Sequence, residues 1–398
     1  MRLKISTYNF TAIIFGTLIA VFCFGFLYTS IYSVILIVLF FLLLTFLNLK
    51  KFFLTKKIFL TLILFFSLIF YFTINKDNGV ILDLTSQSNR IYIFNFSYSL
   101  ILIFLIFLVG YFYGLNIKEP LKIFSMILCF QIFIFLFYIL WLQRFNNIST
   151  FSLMPGSLIL IFLPYVFIAF NIQQRFIVFF LHIFLTFFLI TISQRGSLLA
   201  LNIFFLFYYI YPFIVKNNLI FRFSFFINLF VLYGLVYLYL AYYNDPTLNE
   251  ISLKYFNKSF DTGRPIIWLE IIELINQKIW FGYGTNQSSN FIESYIKISS
   301  FDYRSLASHN LYLELILASG LFGLVLFAIF LNSIWVQFII VKNSHWSRIG
   351  SSYFLSIMYY NLTTKTVFLG LPYMMLLFWL FISIALGQIN SLRKINND

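Results

Sequence analysis

The sequence predicts an all-α polytopic membrane protein of about twelve transmembrane helices with one large extracytoplasmic loop, on three observations: its composition, the spacing of its apolar runs and the placement of its positive charges. A chain that is 62% hydrophobic, 23% aromatic and only 10% charged, with a mean hydropathy of +0.95, holds more apolar side chain than a water-soluble core can enclose. Lipid is the solvent that fits. The 58 Phe residues carry no catalytic meaning by themselves, because Phe, Ile, Leu, Asn and Lys rise together in AT-rich coding sequence.

The apolar runs are each close to the length that crosses a hydrocarbon core of about 30 Å. They fall near 8–28, 31–48, 57–74, 91–113, 121–142, 152–170, 175–193, 196–215, 220–243, 311–340, 350–363 and 367–388. The first resembles a signal peptide in length, but no small-residue cleavage site follows it and the next run begins almost at once, so it reads as a retained helix. No internal repeat and no linker rich in Pro, Gly or Ser divides the chain.

The net charge of +14 points to nucleic acid in a soluble protein, but here Lys and Arg cluster between apolar runs, where they set orientation. With the N-terminus inside, the inner loops collect Lys50, Lys51, Lys56, Lys57, Lys118, Lys122, Arg175, Lys216, Arg222, Lys342, Arg348, Arg393 and Lys394. The outer turns keep only Lys76, Arg90, Arg144, Arg195 and Lys365. That asymmetry places both termini in the cytoplasm. It divides the chain into helices over 1–243, an extracytoplasmic loop over 244–310 and the last helices over 311–398.

Polar chemistry gathers in that loop. Of the twelve acidic residues, Asp245, Glu250, Asp261, Glu270, Glu273, Glu293, Asp302 and Glu314 lie in it or at its edge, among Lys254, Lys258, Arg264, Lys278, Lys297, Arg304 and His309. Tyr255, Trp268, Trp280, Tyr283, Tyr295 and Tyr303 add rings. Hydroxyl-rich sugars suit such a mixture, and so does an ordinary interfacial loop. Cys23 and Cys129 lie inside apolar runs without a ligand partner and read as packing residues, so neither a disulfide nor a metal site is expected.

Outside the loop, Arg195 stands in Ser193-Gln194-Arg195-Gly196-Ser197, a polar break between two runs that are each just long enough to span. The break predicts a tight turn with the guanidinium near the headgroups, where it either snorkels or meets an anion. The predicted topology puts Arg195, Arg264 and His309 on one face of the membrane. Arginine suits a diphosphate, because its planar fork makes bidentate hydrogen bonds and stays charged. His309 is able to take a proton from an attacking hydroxyl or, once charged, to hold phosphate oxygens. His182, inside an apolar run, and His345, in a basic inner loop, read as packing or topology residues.

Three motifs carry a resemblance. Thr191-Ile192-Ser193-Gln194-Arg195-Gly196-Ser197 resembles the arginine-glycine turn of the O-antigen ligase and polymerase superfamily. Thr262-Gly263-Arg264-Pro265-Ile266-Ile267-Trp268, followed by Phe281-Gly282-Tyr283-Gly284, is similar to its Gly-Arg, Trp and Gly-x-Gly loop pattern. Ser308-His309-Asn310-Leu311 leading to Gly320-Leu321-Phe322-Gly323 looks like the ligase signature, although polymerases carry similar sequences. The resemblance covers residues 175–340.

That resemblance implies a GT-C-type architecture and a metal-independent glycosyltransferase without cofactors, working at the periplasmic face of the bacterial inner membrane. The donor it implies is an undecaprenyl-diphosphate-linked glycan, and the acceptor lipid A-core or a second glycan. His309, Arg264 and Arg195 would carry the chemistry, and Asn310, Trp268 and Tyr283 would join the two arginines in binding substrate. Ser319, Gly320 and Gly323 read as small residues for close helix packing, and Gly282 and Gly284 as turn residues. The absence of an Asp-x-Asp pair and of a Gly-x-x-x-x-Gly-Lys loop argues against nucleotide-sugar and ATP chemistry, and nothing calls for nucleic acid. A polymerase is the nearest alternative. A transporter is a further one, disfavoured because the charges sit in a loop and not at mid-membrane; a scramblase or structural subunit ranks lower.

Overall fold

A computed structural model gives the architecture and describes residues 56–74, parts of 103–115, 154–191, 193–260, 263–284, 309–342, 344–364 and 372–397. The apolar runs near 8–28, 31–48 and 121–142, both cysteines and the loop stretch 285–308 lie outside the described residues. Among the described residues all regular structure is helical: α1 (Lys56–Ile74), α2 (Met154–Ala169), α3 (Arg175–Thr191), α4 (Arg195–Ile214), α5 (Asn218–Tyr242), α6 (Pro246–Phe256), α7 (Arg264–Gln277), α8 (Leu311–Trp335), α9 (His345–Tyr360) and α10 (Pro372–Asn397). These helices fall over the predicted apolar runs, and two more, α6 and α7, form inside the predicted loop.

The bundle is built around α9, which packs most extensively on α4 and also touches α2 and α10. Two of its buried serines are compatible with that position because their hydroxyls bond backwards along the helix, Ser351 to the Ser347 carbonyl at 2.7 Å and Ser352 to the Arg348 carbonyl at 2.7 Å. A polar side chain satisfied within its own helix adds no unpaired group to an apolar interior. The sequence reading starts this run at 350; the helix starts earlier, at His345, and the polar residues of its first turn find acceptors, Ser347 Oγ the Val341 carbonyl at 3.0 Å and Arg348 Nε the Tyr208 carbonyl at 2.7 Å.

Apolar side chains also cover the outside. Phe176, Phe180, Ile183, Phe184 and Phe187 follow helical spacing along one face of α3, and Leu219, Phe223, Phe226, Phe230, Tyr233 and Tyr237 do the same on α5, all exposed. A continuous apolar face of this size is not stable in water and is ordinary against lipid. Among the described residues three helices, α4, α5 and α8, are long and apolar enough to cross a membrane, and shorter apolar helices accompany them. The chain is a helical membrane protein.

Helix α8 contains a break. Gly320 has φ 65° and ψ −171°, a region open to glycine alone. A break frees backbone groups that lipid cannot satisfy, and the segment after α7 supplies their partners. Leu321 N–H donates to the Ile279 carbonyl at 2.8 Å and Phe322 N–H to that of Trp280 at 3.2 Å. In the other direction Tyr283 N–H and Gly284 N–H donate to the carbonyls of Leu317 and Ala318, each at 2.9 Å. The Ser319 carbonyl accepts from the Tyr71 hydroxyl at 2.7 Å. The sequence reading assigned Gly320 to helix packing, and its observed role is different: it breaks α8 so that 279–284 pairs with it as backbone. A Cβ there would overlap the Trp280 carbonyl, and one at Gly282 (φ 68°) would lie 2.6 Å from the Leu317 carbonyl oxygen.

Candidate active site

Three charged groups meet at the end of the bundle where α4 and α7 begin. The turn from α3 to α4 closes with Ser193 at φ 56° and Gln194 N–H donating to the Leu189 carbonyl at 3.0 Å, which delivers Arg195 as the first residue of α4. Arg195 does not simply snorkel. Its Nη1 donates to Ser252 Oγ at 2.7 Å and to the Ser259 carbonyl at 2.9 Å, pinning the α6–α7 connection to the start of α4.

That connection is itself folded onto α6. Asp245 caps α6 by accepting from Leu248 N–H at 2.9 Å, with Pro246 in the first turn, where its missing N–H costs nothing. Asn257 ends the helix at φ 50°. Asn249 Oδ1 then accepts from Ser259 Oγ at 2.8 Å and Phe260 N–H at 2.9 Å. Lys258 projects back to the Ser193 carbonyl, its Nζ 3.2 Å away.

Gly263, left-handed at φ 73°, turns the chain into α7, whose first residue is Arg264. Arg264 is half-buried and makes no hydrogen bond or ion pair with any of the described residues. Its electrostatic neighbours are Tyr239, Arg195 and Tyr360. Burial holds the Arg264 guanidinium below its ordinary value, and the charge of Arg195 adds to that. Lys258 is lowered likewise, by loss of solvent first and then by Arg195 and Arg264. No carboxylate among the described residues acts on Arg195, Arg264 or Lys258. Both arginines occupy the first turn of a helix, where the backbone dipole already favours an anion and disfavours a cation. Cations retained in such places make a ready site for a multiply charged anion.

His309 and Asn310 lie nearby through the frame of the bundle. Asn310 is fully buried and caps α8, its Oδ1 accepting from Tyr312 N–H at 3.0 Å and Leu313 N–H at 3.3 Å. Leu311 N–H donates to the Asn361 carbonyl at 3.0 Å, so α8 begins beside the end of α9, next to Tyr360. Thr363 touches Gly196 at the start of α4. His309 stands just before this cap at φ 50°, a left-handed conformation uncommon for a side chain of its type.

The two aromatic candidates are placed differently. Trp268 is 4% exposed, its ring edge-on to Tyr239 with centroids 5.3 Å apart, and Tyr283 is 7% exposed, with its hydroxyl donating to Gln277 Oε1 at 3.1 Å and Lys278 Nζ 4.6 Å from its ring centroid. Both belong to a small apolar cluster with Ile271, Leu274, Leu313 and Leu317 that holds α7 against the first half of α8. Sequence reasoning missed Lys258, Tyr239 and Tyr360 as neighbours of the arginines. Lys258 was one cation among several in a loop, and the tyrosines stood in apolar runs with no local signal.

His182 packs as expected, stacked on Phe205 at 4.3 Å with its Nε2 3.0 Å from Asn202 Oδ1.

The site thus belongs to a helical membrane protein with a cluster of three cations at one end of its bundle, on which no carboxylate among the described residues acts. Residues 178–328 match the family described as O-antigen ligase, a span that contains Arg195, Arg264, Trp268, Tyr283, His309 and Asn310. Over that segment the chain is similar to the O-antigen ligase family. No curated protein and no solved structure matches the chain.

Proposed function

We propose that the chain is an O-antigen ligase that moves undecaprenyl-diphosphate-linked O-polysaccharide onto lipid A-core at the periplasmic face of the inner membrane. The observation that carries this reading is Arg264, a half-buried guanidinium with no partner among the described residues, set beside Arg195 and Lys258 in a matched family segment. The reading includes about twelve spans in a GT-C-type arrangement, both termini in the cytoplasm, and the loop 244–310 on the periplasmic side.

The reaction needs little beyond charge and position. An acceptor hydroxyl oxygen attacks the anomeric carbon, and the bond from that carbon to the diphosphate oxygen breaks with its electron pair going to the diphosphate. The hydroxyl proton passes to His309, and the lipid diphosphate leaves. Arg195 and Arg264 stabilise the charge that builds on the leaving oxygen, and two fixed donors in a partly desolvated place do so without reorganising. Asn310 fixes the start of α8 behind His309, and Trp268 and Tyr283 serve by holding α7, with Arg264, against α8. The donor's own diphosphate bond drives the reaction.

Lys258 gives this site a pH dependence. Its pKa is lowered by burial first and then by the charges of Arg195 and Arg264; a bound diphosphate opposes that lowering, so binding raises the Lys258 pKa and takes up a proton at alkaline pH. Donor affinity is therefore expected to fall as pH rises through the lowered Lys258 value. Lys258→Gln is expected to weaken binding near neutral pH and to flatten that alkaline limb, as read by donor titrations between about pH 7 and 10.

The function itself is tested by a gel of lipopolysaccharide from a deletion strain, complemented or not with His309→Ala, beside an assay of the lipid-linked polymer pool. The ligase reading expects bare lipid A-core with long polymer accumulating on the lipid carrier. A core bearing a single repeat identifies a polymerase, and an unchanged ladder overturns both.

A further inference from the structure

A second cationic group lies at the far end of α4, where the α2–α3 turn, the last turns of α4 and the first turn of α9 come together. From Arg195 to Tyr208 the helix rises about 20 Å, so this group is remote from the site above and shares no residue with it. Pro212 has no N–H to give to the Tyr208 carbonyl four residues back, and Arg348 Nε takes that orphaned acceptor at 2.7 Å. The same guanidinium lies over the Tyr208 ring, 3.7 Å from its centroid. Nε and one face are thereby committed, and the terminal nitrogens of Arg348 meet no acceptor among the described residues. The result is a fork held rigid with its outer edge unused.

Two neighbours extend it. Arg175, the first residue of α3, is near enough for its charge to act on Arg348, and Arg348 in turn acts on the imidazole of His345, the first residue of α9. His345 hydrogen-bonds the Phe167 backbone, and its Nε2 is buried with no partner. All three stand in the first turn of a helix, where the dipole disfavours positive charge. No carboxylate among the described residues acts on Arg348 or His345 to offset them. Exposed Phe170, Phe176 and Phe180 flank the start of α3.

We infer that this end of the bundle binds a phosphate-bearing anion, held by the terminal nitrogens of Arg348 with Arg175 as the second cation. Rigid forked donors recognise phosphate oxygens in pairs, and the positive ends of α3 and α9 add to the attraction. A phospholipid headgroup brings this chemistry with acyl chains that lie along the exposed rings of α3; a free phosphate brings it without them.

The test uses the full chain purified in detergent, with phosphatidylglycerol, phosphatidylcholine and inorganic phosphate as separate probes, read by native mass spectrometry and thermal midpoint. Phosphatidylglycerol is expected to bind in preference to phosphatidylcholine. Arg175→Gln, which removes no hydrogen bond seen in the structure, is expected to weaken it about fivefold. Arg348→Lys, which keeps the charge and loses the fork, is expected to weaken it at least as much. A response to phosphatidylglycerol alone assigns the site to a lipid headgroup, and a response to inorganic phosphate as well assigns it to the phosphate group itself. Equal binding of the two lipids, or equal phosphatidylglycerol binding by the wild type and Arg175→Gln, overturns the inference. Should Arg348→Lys fail to fold, Arg175→Gln carries the test.

Discussion

Arg264→Ala is expected to lower glycan transfer at least about a hundredfold, the loss typical of removing one charge-stabilising donor from a transition state, with the protein still reaching the membrane at its normal level. The second half of that expectation follows from the structure. Arg264 makes no hydrogen bond with the described residues, its charge is disfavoured by burial and by Arg195, and it stands at a helix end that prefers anions. Removing it relieves those costs and leaves no partner stranded. A residue unhelpful to stability and retained at such a place is explained by its ligand. Arg264→Lys separates charge from geometry: the ammonium keeps the attraction but loses the bidentate fork, so transfer is expected to recover only in part. Initial rates in membranes with matched protein levels check both variants.

Gly320→Ala is expected to act the other way, through the fold. The added Cβ would meet the Trp280 carbonyl, and the backbone would have to leave a conformation that only glycine adopts. Strain of that kind costs about 1–3 kcal/mol before any overlap is counted. Escaping it breaks the bonds between 279–284 and the interrupted helix, leaving carbonyls and N–H groups unpaired within an apolar layer. A large loss of folded protein and a lowered thermal midpoint are the expected results. Gly234, beside which an added Cβ meets nothing, is the control, and Gly234→Ala is expected to be tolerated.

The helices were legible because lipid imposes a simple rule: a run long enough to span must be apolar nearly throughout, and α4, α5 and α8 obey it. Helix α9 was harder to bound, since its serines look polar in sequence, and Ser351 and Ser352 become compatible with burial through bonds back to their own helix. The break in α8 was misread. Gly320 and Gly323 have the spacing of a packing motif, and nothing local says that a segment almost forty residues earlier will pair with the opened backbone. At the site, Arg195 was legible as a charge in an unfavourable place and Arg264 through its Gly-Arg motif and predicted side of the membrane, and the structure brings them within each other's field. Trp268 and Tyr283 were expected to bind substrate from the resemblance, and the structure packs their rings in the apolar cluster between α7 and α8. Lys258 gave no signal, because its neighbours are set by the fold of the α6–α7 connection onto Asn249 and Ser252.

The account stands most directly on one comparison: the rate of glycan transfer from a lipid-diphosphate donor by membranes carrying equal amounts of wild type, Arg195→Ala, Arg264→Ala and His309→Ala. Each variant is expected to retain no more than about one hundredth of the wild-type rate, with lipid-linked glycan accumulating in its place. Wild-type rates from all three, at equal protein, would contradict the assignment of this end of the bundle as the active site.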